Sequence, residues 1–364
     1  MSNLLDYIRW RGDLPLETVA FCEVDGLVLS ELSMIFWEKT ALGRTEEPAV
    51  LSSLAPELRG EKVSAGFTAE EDEKLLNAAA ASRRFGGLTL SDYVSESDQH
   101  LEMQFAAVTF SLPDDTVFVS YRGTDSTIVG WKEDFKMAYS RPVPAQASAA
   151  RYLRRIAAAH GGALRVGGHS KGGNLAMYAA ATVEEETRRR IIAVYNNDGP
   201  GLSERAGAAA LYDNIEDRLF SFVPQSSVVG LLLAHPDRFE VVKSDAGGVW
   251  QHNPYTWQVE GGRFLRAPGL TRESVYFESV FGSWLADVSE EELSVLVDTI
   301  FAVVSAADVP GFGREFWRSL AKNPGQVMNS IRSVDSETRK QVAKTLSDLA
   351  SKALRRGEKE KPKS

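Results

Sequence analysis

Between residues 105 and 123 the apolar positions fall in two short runs rich in Phe, Val and Thr, "FAAVTFSL" (105–112) and "TVFVSYRG" (116–123), with the turn "PDD" between them. Runs of this kind separated by a tight turn predict paired strands. The period then lengthens: "PAQASAARYLRRIAAAHGG" is an alanine-rich helical pattern that ends in glycines. "ALRVGGHS" predicts a short buried strand running into Ser170, and "KGGNLAMYAAAT" a second helix. "RIIAVYNNDGPG" repeats the scheme as a strand entering a Gly-Pro loop, and "RLFSFVP" and "RFEVVKS" predict two later strands. Strands alternating with helices at this spacing imply a mostly parallel α/β sheet with helices on both faces.

On either side of this core, taken as residues 96–270, the patterns are helical. Residues 1–95 are expected to form a helical N-terminal cap. Within them, "FTAEEDEKLLNAAAASRRFGG" has capping-box spacing from Thr68 to Glu71 and Gly86 to close the helix. Residues 271–356 form a second helical segment, in which Ser289 and Glu292 repeat the capping-box spacing ahead of "LSVLVDTIFAVVSA". Residues 357–364, ending in "EKEKPKS", are too polar to pack and are expected to be a disordered tail.

A chain of 364 residues that is 43% hydrophobic can bury a core of this size, and its net charge of −9 argues against nucleic acid as the main partner. The longest apolar run, Val228 to Ala234, is far short of the roughly 20 residues that span a bilayer. "MSNLLDYIRWRGD" lacks a basic region followed by an apolar one, so no secretory signal is expected. One cysteine, Cys22, excludes an intramolecular disulfide and a cysteine-based zinc cluster. A cytoplasmic location is the expectation.

The densest chemistry lies where a predicted strand meets a predicted helix. Gly168-His169-Ser170-Lys171-Gly172 has the G-x-S-x-G spacing of a nucleophile elbow, with further glycines at 167 and 173. Small flanking residues let strand and helix approach while the serine hydroxyl is lifted above the sheet, and the Lys171 amide then points at a reacting carbonyl. A phosphate-binding loop would need its lysine after the glycines, and here it precedes them. A purely structural glycine-rich turn is the stronger competitor.

Together with "VFVSYRGTDSTIVGWKEDF" about fifty residues upstream, "GGHSKGGNLA" resembles the fungal-type (class 3) lipases, and more closely a bacterial Mbeg-like branch of unknown function in which "DGPG" and "QHNPYTW" type segments also occur. The lipase resemblance covers about residues 100–260 and the branch resemblance most of the chain. It implies an α/β-hydrolase fold with Ser170 as nucleophile. Thr124, in Arg122-Gly123-Thr124, matches the second oxyanion residue through its amide and hydroxyl, beside the amide of Lys171. Trp131 and Asp134 match a W-x-x-D segment of architectural character.

A late histidine should serve as base. His100, His160 and His169 are set aside by position; His252 is preferred to His235 because it lies in a loop between apolar segments, in the order Ser then His. The expected acid segment, "FSFVPQSSVVG", has no carboxylate. Asp198 in "YNNDGPG" is the candidate that keeps the chain order, with turn capping ahead of Gly-Pro an equal alternative; Asp237 and Asp245 are weaker.

Lys171 departs from the apolar residue usual after the nucleophile. It could pair with an acid such as Asp134 or Asp198, reach solvent, or meet an anionic group and bias the site toward polar or anionic acyl substrates. The leading function is therefore a serine hydrolase acting on a carboxylic ester, thioester or lipid acyl bond, with a small ester or lipid-like substrate. No metal or organic cofactor and no transmembrane segment is implied, and nothing supports peripheral membrane contact. The alternative is an α/β-hydrolase-fold module that binds a ligand or partner without catalysis, favoured by the missing late carboxylate and by Lys171.

Overall fold

A computed structural model describes residues 2–45, 47–66, 68–124, 128–138, 142–204, 207–236, 238–306 and 334–359. Eight strands lie in one sheet in chain order: β1 (Ala49–Val50), β2 (Thr89–Asp98), β3 (Met103–Ser111), β4 (Val117–Tyr121), β5 (Leu164–His169), β6 (Ile191–Asn197), β7 (Leu219–Pro224) and β8 (Glu240–Val242). The pairs from β1 to β4 are antiparallel and those from β4 to β8 parallel.

Among the described residues, helices of eight residues or more are α1 (Leu4–Arg11), α2 (Glu23–Leu32), α3 (Ala69–Ala81), α4 (Ile128–Lys136), α5 (Pro144–Ala159), α6 (Lys171–Thr182), α7 (Arg272–Asp287), α8 (Glu290–Ala306) and α9 (Ser336–Lys359). No helix among the described residues is long and apolar enough to cross a membrane.

Alternation along the strands divides the core in two. Val108, Phe110, Phe118, Tyr195 and Phe222 face a cluster with Leu4 and Tyr7 of α1, Leu27 and Val28 of α2, and Leu75 and Leu76 of α3. Phe105, Ala107, Val119, Tyr121 and Val194 face the opposite cluster, with Leu153 and Ile156 of α5 and Leu175 and Ala176 of α6. Successive side chains of a strand point to opposite faces, so a strand covered on both sides carries apolar residues without a break. The central strands come nearest to this: β4 is buried at every position and β6 at every position but Ile192.

The structure revises the expectation for residues 1–95. Their helices are one covering layer of the sheet, sharing its core, and the segment also supplies β1 and the start of β2. The capping box at α3 does not form. Thr68 donates its hydroxyl to Asp72 (3.3 Å) instead of receiving an amide, and the helix ends at Ser82, whose N–H bonds to Ala79, rather than at Gly86. The capping box of α8 does form, with Ser289 N to Glu292 Oε2 and Glu292 N to Ser289 Oγ both at 3.1 Å.

A third cluster joins the C-terminal helices: Trp284 of α7 and Val288 at its C-terminal end with Leu293, Leu296, Val297 and Phe301 of α8. Trp284 Nε1 also donates to the carbonyl of Thr345 in α9 at 3.2 Å. Helix α9 runs to Lys359, into the segment expected to be disordered; residues 360–364 lie outside the described residues.

Candidate active site

Four loops at the carboxyl ends of the parallel strands converge on Ser170. This is the end at which open α/β sheets offer a crevice for ligands. Ser170 follows β5 as the N-cap of α6 with φ 57° and ψ −131°, in the left-handed half of backbone space that a non-glycine residue rarely enters.

The flanking glycines explain how the turn fits. A Cβ on Gly168 would come within 2.2 Å of the Gly172 carbonyl carbon, and one on Gly172 within 2.1 Å of the Tyr121 carbonyl oxygen. Neither approach is possible for a real side chain. Gly123 of the Arg-Gly-Thr turn is also packed against the elbow, though less tightly: its Cβ position lies 2.9 Å from the His169 carbonyl oxygen and 3.6 Å from Ser170 Cβ.

His252 comes from the loop after β8, with its side chain mostly buried. Its Nε2 is 3.0 Å from Ser170 Oγ, and its Nδ1 is 2.7 Å from Asp198 Oδ2. Asp198 stands directly after β6, fully buried, at φ 50°. Its other oxygen accepts from Ser227 Oγ (2.5 Å) and from the Gly230 amide (3.2 Å). Aspartate tolerates the left-handed region better than most residues, and a carboxylate with these donors needs no counter-ion.

Ser227 belongs to the "FSFVPQSSVVG" segment where an acid is lacking. That segment supports the carboxylate of the neighbouring strand end instead of providing one. The His252 loop is fixed in turn by Gln251, which accepts from the Ser226 amide (2.7 Å), donates to the Ala246 carbonyl (2.9 Å) and, through its own carbonyl, accepts from Trp257 Nε1 (2.8 Å).

Ser170, Asp198 and His252 are thus brought together. His235 is not among them, since its Nε2 pairs with Glu278 Oε1 at 2.9 Å. Asp245 accepts from Gln258 at 2.5 Å, and Asp237 lies outside the described residues.

Lys171 corrects the expectation of a substrate-facing cation. Its side chain is 1% exposed, with Nζ 2.5 Å from Glu133 Oε2, 3.0 Å from the Gln104 carbonyl oxygen and 3.7 Å from Asp134 Oδ1. Glu133 is a hub that also accepts from the amides of Gln104 (3.0 Å) and Ala145 (2.8 Å). Asp134 holds the Thr124 hydroxyl as a donor. That hydroxyl is therefore committed, contrary to the expectation that it would face an oxyanion.

Burial pushes the Asp134 carboxyl up to about 6 against the lowering effect of Lys171 and Thr124. Trp131 lies in α4, and its side chain is outside the described ones. As the first residue of α6, Lys171 has an amide without an intrahelical acceptor.

Two glutamates escape a reading of the sequence. Glu133 is adjacent to Asp134 in "WKED", and its place beside a motif position was its only signal. Glu31, in α2, approaches His169: Oε1 is 3.0 Å from Nδ1. His169 Nε2 is in turn 3.0 Å from the His252 carbonyl oxygen. Burial opposes charge on His169, but Glu31, with Asp198 and that carbonyl, raises its pKa above the ordinary histidine value. Nothing in the local sequence of Glu31 marks it.

No curated protein matches the chain. Residues 79–302 match the family described as Mbeg1-like, a span that holds every strand from β2 to β8 as well as Ser170, Asp198 and His252. The chain belongs to the Mbeg1-like family.

Proposed function

We propose that this protein is a serine hydrolase of the α/β-hydrolase type, cleaving a carboxylic ester, thioester or lipid acyl bond through an acyl-enzyme on Ser170. The observation that carries this is the continuous hydrogen-bonded chain from Ser170 Oγ through His252 to buried Asp198. Serine is a weak nucleophile unless a base takes its proton in the transition state. His252 Nε2 is within reach to do so, and Asp198 fixes the tautomer that leaves Nε2 as the acceptor.

Attack of Oγ on the acyl carbon moves the serine proton to His252 and the carbonyl π-electrons onto oxygen. The Lys171 amide at the start of α6 and the Thr124 amide would receive that oxyanion, where water exclusion makes such donors effective. Collapse expels the alcohol or thiol, which takes its proton from His252. Water then repeats the sequence on the acyl-enzyme, regenerating Ser170 and releasing the acid.

The Lys171–Glu133–Asp134–Thr124 network links the elbow to the oxyanion loop, so the lysine acts as a strut between the two donors. The non-catalytic binding alternative drew on a missing acid and an anomalous lysine; the Asp198–His252 contact and the buried Lys171–Glu133 pair support the hydrolase reading over it.

The test is turnover of a panel of p-nitrophenyl esters and acyl thioesters by the full chain and by Ser170→Ala. We expect hydrolysis of at least one substrate that falls by about 10⁴-fold or more in the variant. Hydrolysis that persists in Ser170→Ala, or none across the panel, would overturn the assignment.

A further inference from the structure

We propose that His169 is a positioning residue for His252, held as an imidazolium by Glu31, so that the N-terminal layer of the protein supplies a working part of the site. The proposal rests on the hydrolase assignment only for its catalytic consequence.

His169 lies beside the nucleophile, yet its ring turns away from Ser170 and toward the loop of His252. The two rings are 4.8 Å apart between centroids at 34°. Both nitrogens of His169 face acceptors. Nε2 faces the main-chain carbonyl oxygen of His252 at 3.0 Å, and Nδ1 faces Glu31 Oε1 at 3.0 Å. A neutral imidazole that donates from Nε2 to the carbonyl turns a bare Nδ1 lone pair toward the carboxylate; the imidazolium keeps that donor and places its charge beside Glu31.

Glu31 and His169 are both buried, and Glu31 Oε1 accepts no well-aligned hydrogen bond, the imidazole lying at ion-pair distance but off axis. A carboxylate so placed is stabilised by a positive charge beside it. The cation thus serves its neighbour and donates to the carbonyl of the residue that faces Ser170.

The same layer grips this loop a second time. Tyr255, three residues beyond His252, donates to Asp72 Oδ1 of α3 at 2.8 Å. Glu31 and Asp72 both precede residue 79, where the match to the family begins. Within this protein the His252 loop is seated on two side chains outside the matched span.

The test uses the full chain labelled with ¹⁵N-histidine, in which five rings must be resolved. Multiple-bond ¹H–¹⁵N spectra at about pH 8, well above the ordinary histidine pKa, report each ring's protonation, and His169→Gln identifies its signal. We expect one doubly protonated ring that belongs to His169 and becomes singly protonated in Glu31→Gln. The Nδ1 proton of His252, hydrogen-bonded to Asp198, should give a sharp low-field resonance that broadens in Glu31→Gln.

Phosphonylation of Ser170 by a fluorophosphonate should slow by up to roughly 100-fold in His169→Leu through the maximal rate and not through probe affinity. His169→Gln, which keeps a donor toward the carbonyl, should recover part of it. A neutral His169 in the wild type, or a His252 resonance indifferent to Glu31→Gln, overturns the proposal. If the wild type resists the probe while both spectral results hold, the positioning role stands and the hydrolase assignment falls.

Discussion

His169 and Lys171 stand on either side of Ser170 and leave it in opposite directions, each toward a buried glutamate. Lys171 meets Glu133 of α4 at 2.5 Å on the side of the Thr124 loop; His169 meets Glu31 of α2 at 3.0 Å on the side of the His252 loop. The difference lies in what else each glutamate holds. Glu133 accepts two main-chain amides as well as the lysine, so it is satisfied largely by hydrogen bonds. Glu31 Oε1 depends on the charge of one imidazole. The side of the Thr124 loop is therefore held by several contacts at once, and under the proposed imidazolium the side of His252 is held by a charge that pH and substitution can remove.

The largest effect should come from the carboxylate that both sides leave to His252. Asp198→Asn keeps the shape but can donate where it must accept, and ester turnover should fall by about 10⁴-fold. A loss under tenfold would mean that the base is oriented without Asp198, and the comparison would need a different centre.

On the strut side, Lys171→Met leaves Glu133 as a buried charge without its cation. We expect a loss of roughly 3–5 kcal/mol in unfolding free energy by denaturant titration, with partial recovery in the double variant Lys171→Met/Glu133→Gln. Because the lysine side chain does not face a substrate, the preference between neutral and carboxylate-bearing esters should be the same in Lys171→Leu and wild type. A changed ratio would return Lys171 to the pocket.

On the charged side the smaller effect is a slope with pH. Burial first, and Glu31 second, push the Asp72 carboxyl up to about 7, whereas in the unfolded chain it ionises near the ordinary carboxylate value. Between about pH 4 and 7 the folded state then binds more protons than the unfolded one, so stability falls as pH rises through that window. Asp134, raised to about 6, gives a slope of the same sign up to its own pKa. His169, also raised, contributes stability present below the ordinary histidine pKa and lost as pH rises through its folded value. Asp72→Asn should flatten the fall of Tm over pH 4–7 without abolishing it. A slope equal to wild type would place the Asp72 proton elsewhere.

Much of this was legible in the chain, for identifiable reasons. Strands β3 to β7 are short, doubly covered and rich in β-branched and aromatic residues, so their runs stand out. β2, "TLSDYVSESD", is polar and beyond Ser91 only half-buried or exposed, with the two-residue β1 as its outer neighbour, and its pattern carries no such mark. Ser170 was readable because the elbow demands glycines at fixed offsets, whereas chain order made Asp198 a candidate partner of His252 without deciding between that and turn capping. Glu31 was not readable, since its contact with His169 arises only when α2 packs on the face of the sheet and brings its last turn to the elbow. Thr124 was legible as a position but not in its hydroxyl's partner, because Asp134 approaches it from a separate helix.

The central claim is that Ser170 is an activated nucleophile, and intact-mass spectrometry after treatment with a fluorophosphonate tests it most directly. Wild-type protein should gain one phosphonyl adduct, and Ser170→Ala none. A folded wild type that stays unmodified, or an adduct that persists in Ser170→Ala, would contradict it.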